Sequence, residues 1–515
     1  MRKWLYAAAA IVIILAIALA ALAPLIRTQI RARTEAYLRA RFQSDVQFTN
    51  FDIHLYPRPR ITIDNLALRL KGRTDVPPLI QIQHVNFAAS LPDLLRHRYT
   101  IQKVQLDGLQ IHIPPKGSGD RPKISGTDVD LAKKYPVLIE EIHVTNGMIS
   151  ILRDDPKKPS RDFPLQSVVV KNFSFDDPAT FHAQLTNPVP LGEIDCAGSF
   201  GPWDADEPRH TPVDAKFTFN HADMGTIKGL EGKLQSSGKF SGPLDFLNVE
   251  GTTDTPDFML RISGHPVDLH TDYTAIVDGT NGNVILKPVI AHFLHTTLVV
   301  NGEVADLTPE KGRTIALDVV STSARIEDLL YLTVKYDKPI MNGDTTITAK
   351  LEIGEGQRDI IQRMTVDGQF GVASAHFTSP SVQEKIDSFS RRGQGRPEDA
   401  AIENVVSGLA GKFRMAQGSI DFSSLTFKVT GADVQLAGTY GLDQGQLDFH
   451  GKLHLDAKLS QTTTGTKSFL LKAVDPFFRG KNGGSEVPIK ITGTKDHPAY
   501  GLDFHHKEAS AANNK

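Results

Sequence analysis

The chain has one cysteine, Cys196, in 515 residues. That excludes an intramolecular disulfide and a thiolate metal cluster. It is compatible with an oxidising compartment, because nothing can mispair within the chain. Neither charge sign is in excess: the net charge is −2, the sequence pI is about 6.8, and no long basic run occurs. A nucleic-acid footprint is therefore not expected. Two catalytic signatures are absent as well, the HExxH of zinc proteases and the GxSxG nucleophile elbow. The Gly-rich piece Lys481-Asn482-Gly483-Gly484 lacks the strand–loop–helix setting of a phosphate loop. Long hydrophobic runs are also missing, with a single exception at the N-terminus.

That exception is Trp4–Ile26, an uncharged stretch rich in Ala, Ile and Leu. At about 1.5 Å per residue a helix over it spans about 35 Å, enough for a hydrocarbon core of about 30 Å. Arg2, Lys3 and the triplet Ala18-Leu19-Ala20 also resemble a cleavable secretory signal. The apolar run continues past that triplet to Ile26, longer than a signal core, and Pro24 follows the second triplet Ala21-Leu22-Ala23. An uncleaved anchor is the reading adopted. Arg27, Arg31, Arg33, Arg39 and Arg41 follow the span, whereas Arg2 and Lys3 precede it. A plain positive-inside count would place the body in the cytoplasm. The segment 26–42 carries Ile26, Ile30, Leu38 and Phe42 at amphipathic spacing. Arginines laid on lipid phosphates and a solvated helical neck both fit it.

Beyond the neck the chain is strand-like almost throughout. Residues alternate apolar and polar at Val46/Phe48, Ile61/Ile63, Leu68/Leu70, Ile80/Ile82 and onward. The counts of 41 Gly and 30 Pro suit many turns, and a mean hydropathy of −0.21 describes a folded, water-facing body. At 515 residues two or three domains are expected. A finer pattern recurs: apolar, two others, apolar, one other, apolar. It occurs at Ile63/Leu66/Leu68, Ile82/Val85/Phe87, Ile101/Val104/Leu106, Ile139/Ile142/Val144 and Leu165/Val168/Val170. The first four copies start 19, 19 and 38 residues apart, the spacing of a repeated strand-pair unit. Residues 99–113 and 138–152 each read as two strands about a tight turn, at Asp107-Gly108 and Asn146-Gly147. Residues 114–136 read as a polar loop between them, and Leu91–His97 as a short helix.

Alternation persists through the middle, with loop-like stretches at 152–162 and 201–213. Helical spacing interrupts it at Val382, Ile386 and Phe389. A second helix is expected over Ala400, Ile402, Val405, Val406 and Leu409, opened by Pro397 and ended at Gly411. A dense meander comes after it, and HHKEASAANNK forms a polar tail.

No catalytic, cofactor-binding or metal-binding residue emerges. His54, His84, His112, His143 and His454 sit on the polar phase of alternating strands. His292 and His295, three apart in a strand, would point oppositely. The paired carboxylates Asp154-Asp155, Glu140-Glu141 and Asp128/Asp130 read as surface features. One-face-apolar strands must cover that face. Two arrangements remain open: a long sheet that curls without closing, leaving an apolar trough fit for acyl chains, or tandem sandwiches with dry cores.

In its motifs the chain resembles the AsmA-like family of bacterial envelope proteins. The likeness rests on the single span and Arg-rich neck followed by VQFTNFDIHLYPRPRITIDNLALRL (46–70) and IQKVQLDGLQIHI (101–113). It rests also on 412–505, especially FSSLTFKVTGADVQLAGTYGLDQGQLDFHGKLHLDAKLS and VPIKITGTKDHPAYGLDF. The matched parts cover about a third to a half of the chain. The resemblance implies a single-pass inner-membrane anchor with the bulk of the chain in the periplasm, overriding the arginine count. It also implies a role in outer-membrane biogenesis. The larger relatives are thought to be lipid-transfer bridges built on an open β-groove, and no catalytic residue is carried over. This chain is shorter than those relatives, so crossing the periplasm would need a partner or oligomer.

The expected fold is mainly β: an N-terminal transmembrane helix, then an elongated, curled, open antiparallel β-sheet groove with a few short helices. The expected divisions are 1–44 anchor and neck, 45–200 an N-terminal β-repeat region, and 201–380 a β-rich middle. A C-terminal β region over 381–505, opened by short helices, and a tail at 506–515 complete them. The expected role is non-enzymatic handling of phospholipid for the envelope, with membrane lipids as partners, no nucleic acid and no cofactor. The alternative is a scaffold assisting assembly of outer-membrane proteins through protein contacts. An envelope hydrolase with an unrecognised site is the third.

Overall fold

A computed structural model describes residues 44–54, 60–70, 77–89, 99–113, 137–152, 160–174, 177–202, 210–279, 282–308, 312–335, 338–356, 358–399, 405–480 and 483–503. The run Trp4–Ile26, the neck, the expected helix at Leu91–His97, the loop 114–136 and the tail lie outside these residues. Among the described residues no helix is long and apolar enough to cross a membrane. The fold is mainly β, 68% strand, a long mixed sheet with few short helices. It divides into two compact units. The first holds the described residues up to Thr226 with Lys233–Asp254 and Thr274–Ile285; the second holds Ile227–Gly232, Thr255–Tyr273 and the chain from Leu286 on.

In the first unit, β1 (Ser44–Gln47) and β2 (Asn50–His54) both pair antiparallel with β3 (Arg60–Leu70), which pairs with β4 (Ile80–Ala89). Next, β5 (Tyr99–Asp107) and β6 (Gln110–Ile113) both pair antiparallel with β4, and both run parallel to β7 (Val137–Ile151). An antiparallel meander continues through β8 (Arg161–Phe173), β9 (Ala179–Pro188), β10 (Leu191–Phe200) and β11 (Pro212–Asp223). The short β12 (Leu230–Glu231) belongs to the second unit; β13 (Lys233–Pro243) pairs with β11 and with β14 (Leu247–Leu260), whose residues from Thr255 on also belong to the second.

Two expectations are corrected here. The sheet is mixed, not antiparallel throughout, and neither 99–113 nor 138–152 is a hairpin. The Asp-Gly and Asn-Gly pairs do adopt positive φ, +68° at Gly108 and +51° at Asn146. They serve as irregularities inside strands that continue in the same direction. The reason is visible in the partners. Asp107 lies beside Thr145 in the parallel register, and its Oδ1 accepts from Thr145 Oγ1 at 2.9 Å and Asn146 Nδ2 at 2.8 Å. The Gly108 amide donates to the Thr145 carbonyl at 3.0 Å. Bonds to a neighbouring strand thus replace the bonds of a tight turn. The hydrogen bonds from Asn146 and Thr145 hold the Asp107 carboxyl below the usual carboxylate range.

The 38-residue spacing has a direct origin in this pairing, since Ile101, Val104 and Leu106 lie opposite Ile139, Ile142 and Val144. The earlier copies meet antiparallel, Ile63 against Val85 and Leu66 against Ile82. Residues three apart normally face opposite sides of a strand. Here Ile63 and Leu66 are both fully buried, and Asn65 between them takes φ +52° while the register against β4 stays unbroken. The first four copies sit in one sealed core with Val46, Phe51 and Phe173.

The strands β15 (Pro266–Asp278) and β16 (Asn283–Phe293) each contribute residues to both units, and β17 (Thr296–Thr308) belongs to the second. From there a meander runs through β18 (Gly312–Arg325), then, past the two-residue β19 (Met341–Asn342), through β20 (Asp344–Ile353) and β21 (Met364–Phe377). It continues through β22 (Ser407–Ala416), β23 (Ser419–Val429), β24 (Ala432–Gly441), β25 (Gln446–Leu455), β26 (Ser485–Thr494) and β27 (Pro498–Leu502), each antiparallel to the next. The helices are α1 (Ile326–Thr333), α2 (Ile360–Arg363), α3 (Pro380–Gly393) and α4 (Gly465–Lys472). Helix α3 forms where Val382, Ile386 and Phe389 require it, with Pro380 in its first turn and Arg391 and Arg392 in its last. The second expected helix is corrected over its described end: Leu409 and Gly411 lie in β22, opposite Val372 and Phe370, while Ala400 and Ile402 lie outside the described residues. Two glycines in Ser407-Gly-Leu-Ala-Gly disfavour a helix, and pairing on both sides fixes the strand.

Replacing the sealed Leu66 by Ala is expected to cost about 2–5 kcal/mol. Val320→Ala, at a residue 40% exposed, should cost under about 1 kcal/mol. Urea unfolding of the full chain in mild detergent, followed by circular dichroism, measures both.

Candidate functional site

Residues paired directly across strands share one face, so the registers of the second unit define rows that run across its strands. One row passes Val319, Ala349, Gly368, Phe413, Phe422, Gly438, Phe449, Ile491 and Tyr500. Its neighbour passes Ile347, Phe370, Gly411, Leu425, Leu436, Gly451, Ile489 and Leu502. Nine strands at about 4.8 Å spacing make the first row about 38 Å long. Half of a bilayer's hydrocarbon core is about 15 Å. The opposite face of the same strands is solvated: Lys350, Asp367, Arg414 and Asp421 are all exposed. Ion pairs on that face, such as Arg414–Asp367 at 3.8 Å, hold exposed groups that water screens. Two shallow depressions of about 270 and 680 Å³ lie on this polar side of β20–β23; Ser424 and Thr426 line the first, and Lys350, Asp367, Asp421 and Ser423 the second.

Glycines set the texture of the apolar face. A Cβ on Gly368 would meet Phe413 Cζ at 2.7 Å, and one on Gly411 would meet Phe370 Cε1 at 2.7 Å. Each ring lies over a neighbouring strand's bare backbone. Phe413, Phe422 and Phe449 continue as a chain of tilted rings with centroids 6.1 and 5.8 Å apart. Most large side chains of these rows, among them Phe413, Phe422, Leu425, Leu436 and Ile489, are only half-buried.

Helices cover the strand ends beyond the rows. Ile326 and Leu330 of α1 pack with Val372, Ala375 and Leu409. Ile386 and Phe389 of α3 pack with Val405, Phe427, Val429 and Leu453. Each helix is fastened by buried polar groups that its apolar spacing did not reveal. The buried Asp387 accepts from Gln383 Nε2 at 2.8 Å and from the Val405 amide at 3.0 Å, while Gln383 Oε1 accepts from the Phe377 amide at 3.1 Å. Ser390 Oγ donates to the Thr430 carbonyl at 2.6 Å. In α1, Asp328 accepts from the His295 amide at 2.8 Å and Thr296 Oγ1 at 2.9 Å. Their signal in the sequence is a polar residue on the helix stripe that should be apolar.

The histidines serve local pairing. His84 lies 2.9 Å from Asp64 and His143 lies 2.7 Å from Glu141, both on outward faces. His112 Nδ1 reaches the Pro78 carbonyl at 2.7 Å, and His454 lies 3.4 Å from Glu486. His292 and His295 do not share a strand: His292 bonds Thr297 Oγ1 at 2.9 Å, and His295 sits in the turn beside Asp328. His450 is held between Asp503, 2.6 Å from Nδ1, and Asp448, 3.1 Å from Nε2. Among the described residues no group of three or more His, Cys, Asp or Glu could hold a metal. Asp128, Asp130, Asp154 and Asp155 lie outside them. Cys196 is buried, and that burial, aided by Asp195, pushes its thiol up to about 11.

The hydrogen bond His450 donates to Asp503, with a smaller contribution from the one to Asp448, raises His450 above its ordinary 6.5. The contribution is complete below about pH 6.5 and fades as pH rises through the raised folded-state value. His450→Asn is therefore expected to destabilise at about pH 5.5 and to approach the parent at about pH 8.5, read as urea midpoints. For Cys196, thiol titration with a maleimide should show no reaction in the folded chain and one equivalent after unfolding in urea.

No family model matches the chain, and no curated protein sequence matches it.

Proposed function

We propose that this chain is an AsmA-like, membrane-tethered envelope protein that handles phospholipid acyl chains along the apolar face of its second unit. One observation carries the proposal: two apolar rows, about 38 and 34 Å long by strand spacing, keep large side chains such as Phe422 and Leu436 half-buried. A dry protein core seals such residues, as the first unit seals Ile63 and Leu66. Covering the face with acyl chains removes the remaining apolar area from water at roughly 25 cal/mol per Å². The rows carry no charge, so a chain can slide along them without breaking a fixed polar contact, which suits transfer rather than catalysis. Trp4–Ile26 supplies the tether in the inner membrane, and the body stands in the periplasm.

Lipid extraction and mass spectrometry of the purified full chain should recover phospholipid. Phe422→Glu and Leu436→Glu should each lower the recovered amount by about tenfold, because a carboxylate in the rows cannot be desolvated cheaply. Thr439→Glu on the opposite, exposed face should leave it unchanged. A parent protein free of lipid would overturn the proposal. A photo-crosslinker at Leu425 that captures only proteins would favour an assembly factor instead.

A further inference from the structure

Between β25 and β26 the chain leaves the sheet and folds a small cap over Leu459–Arg479. A short 3-10 turn (Leu459–Thr462) leads into α4, and a second one (Asp475–Phe478) comes after it. The cap is internally fastened. Asp475 accepts from the Ser460 amide at 2.8 Å and from Ser460 Oγ at 2.6 Å, and Ser468 Oγ donates to the Ser460 carbonyl at 2.6 Å. The Phe477 amide closes its turn on the Val474 carbonyl at 3.0 Å.

This fastening has a polarity. The cap's one carboxylate, Asp475, is turned inward to Ser460, half-buried, whereas Lys467, Lys472 and Arg479 are exposed. Among the described residues none of these three cations has an ion-pair partner. Beside them Phe477 is 84% exposed, next to exposed Pro476 and Ala473. A ring that bare, on a backbone held by hydrogen bonds, is not waiting to fold into its own core. Gly395, just past α3, lies against Ala457 and Gln461, so the exposed Arg392 and Arg396 belong to the same neighbourhood, with Glu398, Asp399 and Asp456 as exposed acids there.

We propose that the Leu459–Arg479 cap is a docking surface for an anionic phospholipid bilayer, with Phe477 as its apolar anchor and Lys467, Lys472 and Arg479 on the headgroup phosphates. Charge complementarity selects that occupant. In a chain whose net charge is −2, this short cap carries three exposed cations with no ion-pair partner among the described residues, one bare aromatic ring, and a single acid turned inward. An aromatic ring seats at the depth of the headgroups, and long basic side chains reach phosphate while their stems lie along apolar surface. The surface is separate from the apolar rows, so it stands or falls without the acyl-chain proposal.

The test uses the full chain held in nanodiscs of pure phosphatidylcholine, with Ala473→Cys labelled by an environment-sensitive fluorophore. Buried Cys196 does not compete for the label. Adding vesicles of phosphatidylcholine with about 30% phosphatidylglycerol should shift the emission to the blue, and added salt should weaken the response. Pure phosphatidylcholine vesicles should give little response. Phe477→Ser, and separately Lys467→Glu with Lys472→Glu and Arg479→Glu, should raise the vesicle concentration needed by about tenfold or more. Unchanged circular dichroism identifies variants that keep the fold, and Phe477→Ser at an exposed ring gives a variant whose fold does not depend on the replaced group. No response to anionic vesicles, an equal response to pure phosphatidylcholine, or unaltered binding by both variants would overturn the proposal. Lipid recovered from the rows by mass spectrometry is a separate readout, so the two proposals fail independently.

Discussion

A β-sheet with one apolar face has to cover that face, and much of this structure depends on how the constraint is met. In the first unit the N-terminal strands meet it completely. Ile63, Leu66, Val85 and Val104 are inaccessible to water, and the parallel pairing of β7 with β5 and β6 brings equivalent apolar triplets side by side. In the second unit the constraint is met only at the strand ends, where α1 and α3 dock. Between β18 and β27 most large side chains of the apolar rows stay half-covered.

Two devices keep that face in shape without filling it. Glycine placed opposite phenylalanine, as at Gly368/Phe413 and Gly411/Phe370, gives each ring a flat seat on a neighbouring strand. The helices at the edge are held by directional hydrogen bonds rather than by apolar packing alone. Asp387 and Gln383 in α3, and Asp328 in α1, fix where each helix stops. Buried polar groups of this kind are costly if mispaired, so they define one position for the element that carries them. A purely apolar helix face could slide inward over the rows and seal them.

Much of this was legible in the residues. Alternation gave the strands, the helical spacing of Val382, Ile386 and Phe389 gave α3, and the repeated triplet marked residues of the first unit without showing that they are sealed. The misses have physical causes. Asp107-Gly108 and Asn146-Gly147 report positive φ, but a positive φ also fits a chain that runs on in the same direction and register. Only the partner strand, through Thr145 and Asn146 bonding Asp107, decides between them. Leu409 looked helical because apolar spacing over a few residues is ambiguous, and pairing on both sides of β22 settled it.

By itself the sequence determined the strand content, the apolar and polar phase of each strand, the absence of recognised catalytic signatures, and the one long apolar run at Trp4–Ile26. These are local properties, written in residue periodicity and composition. The tertiary structure decided which phases lie in register, which apolar residues are sealed and which stay half-open, and where Asp475 turns while Phe477 remains bare. Those outcomes depend on partners tens of residues away. Register and burial are properties of pairs, and no single strand encodes them.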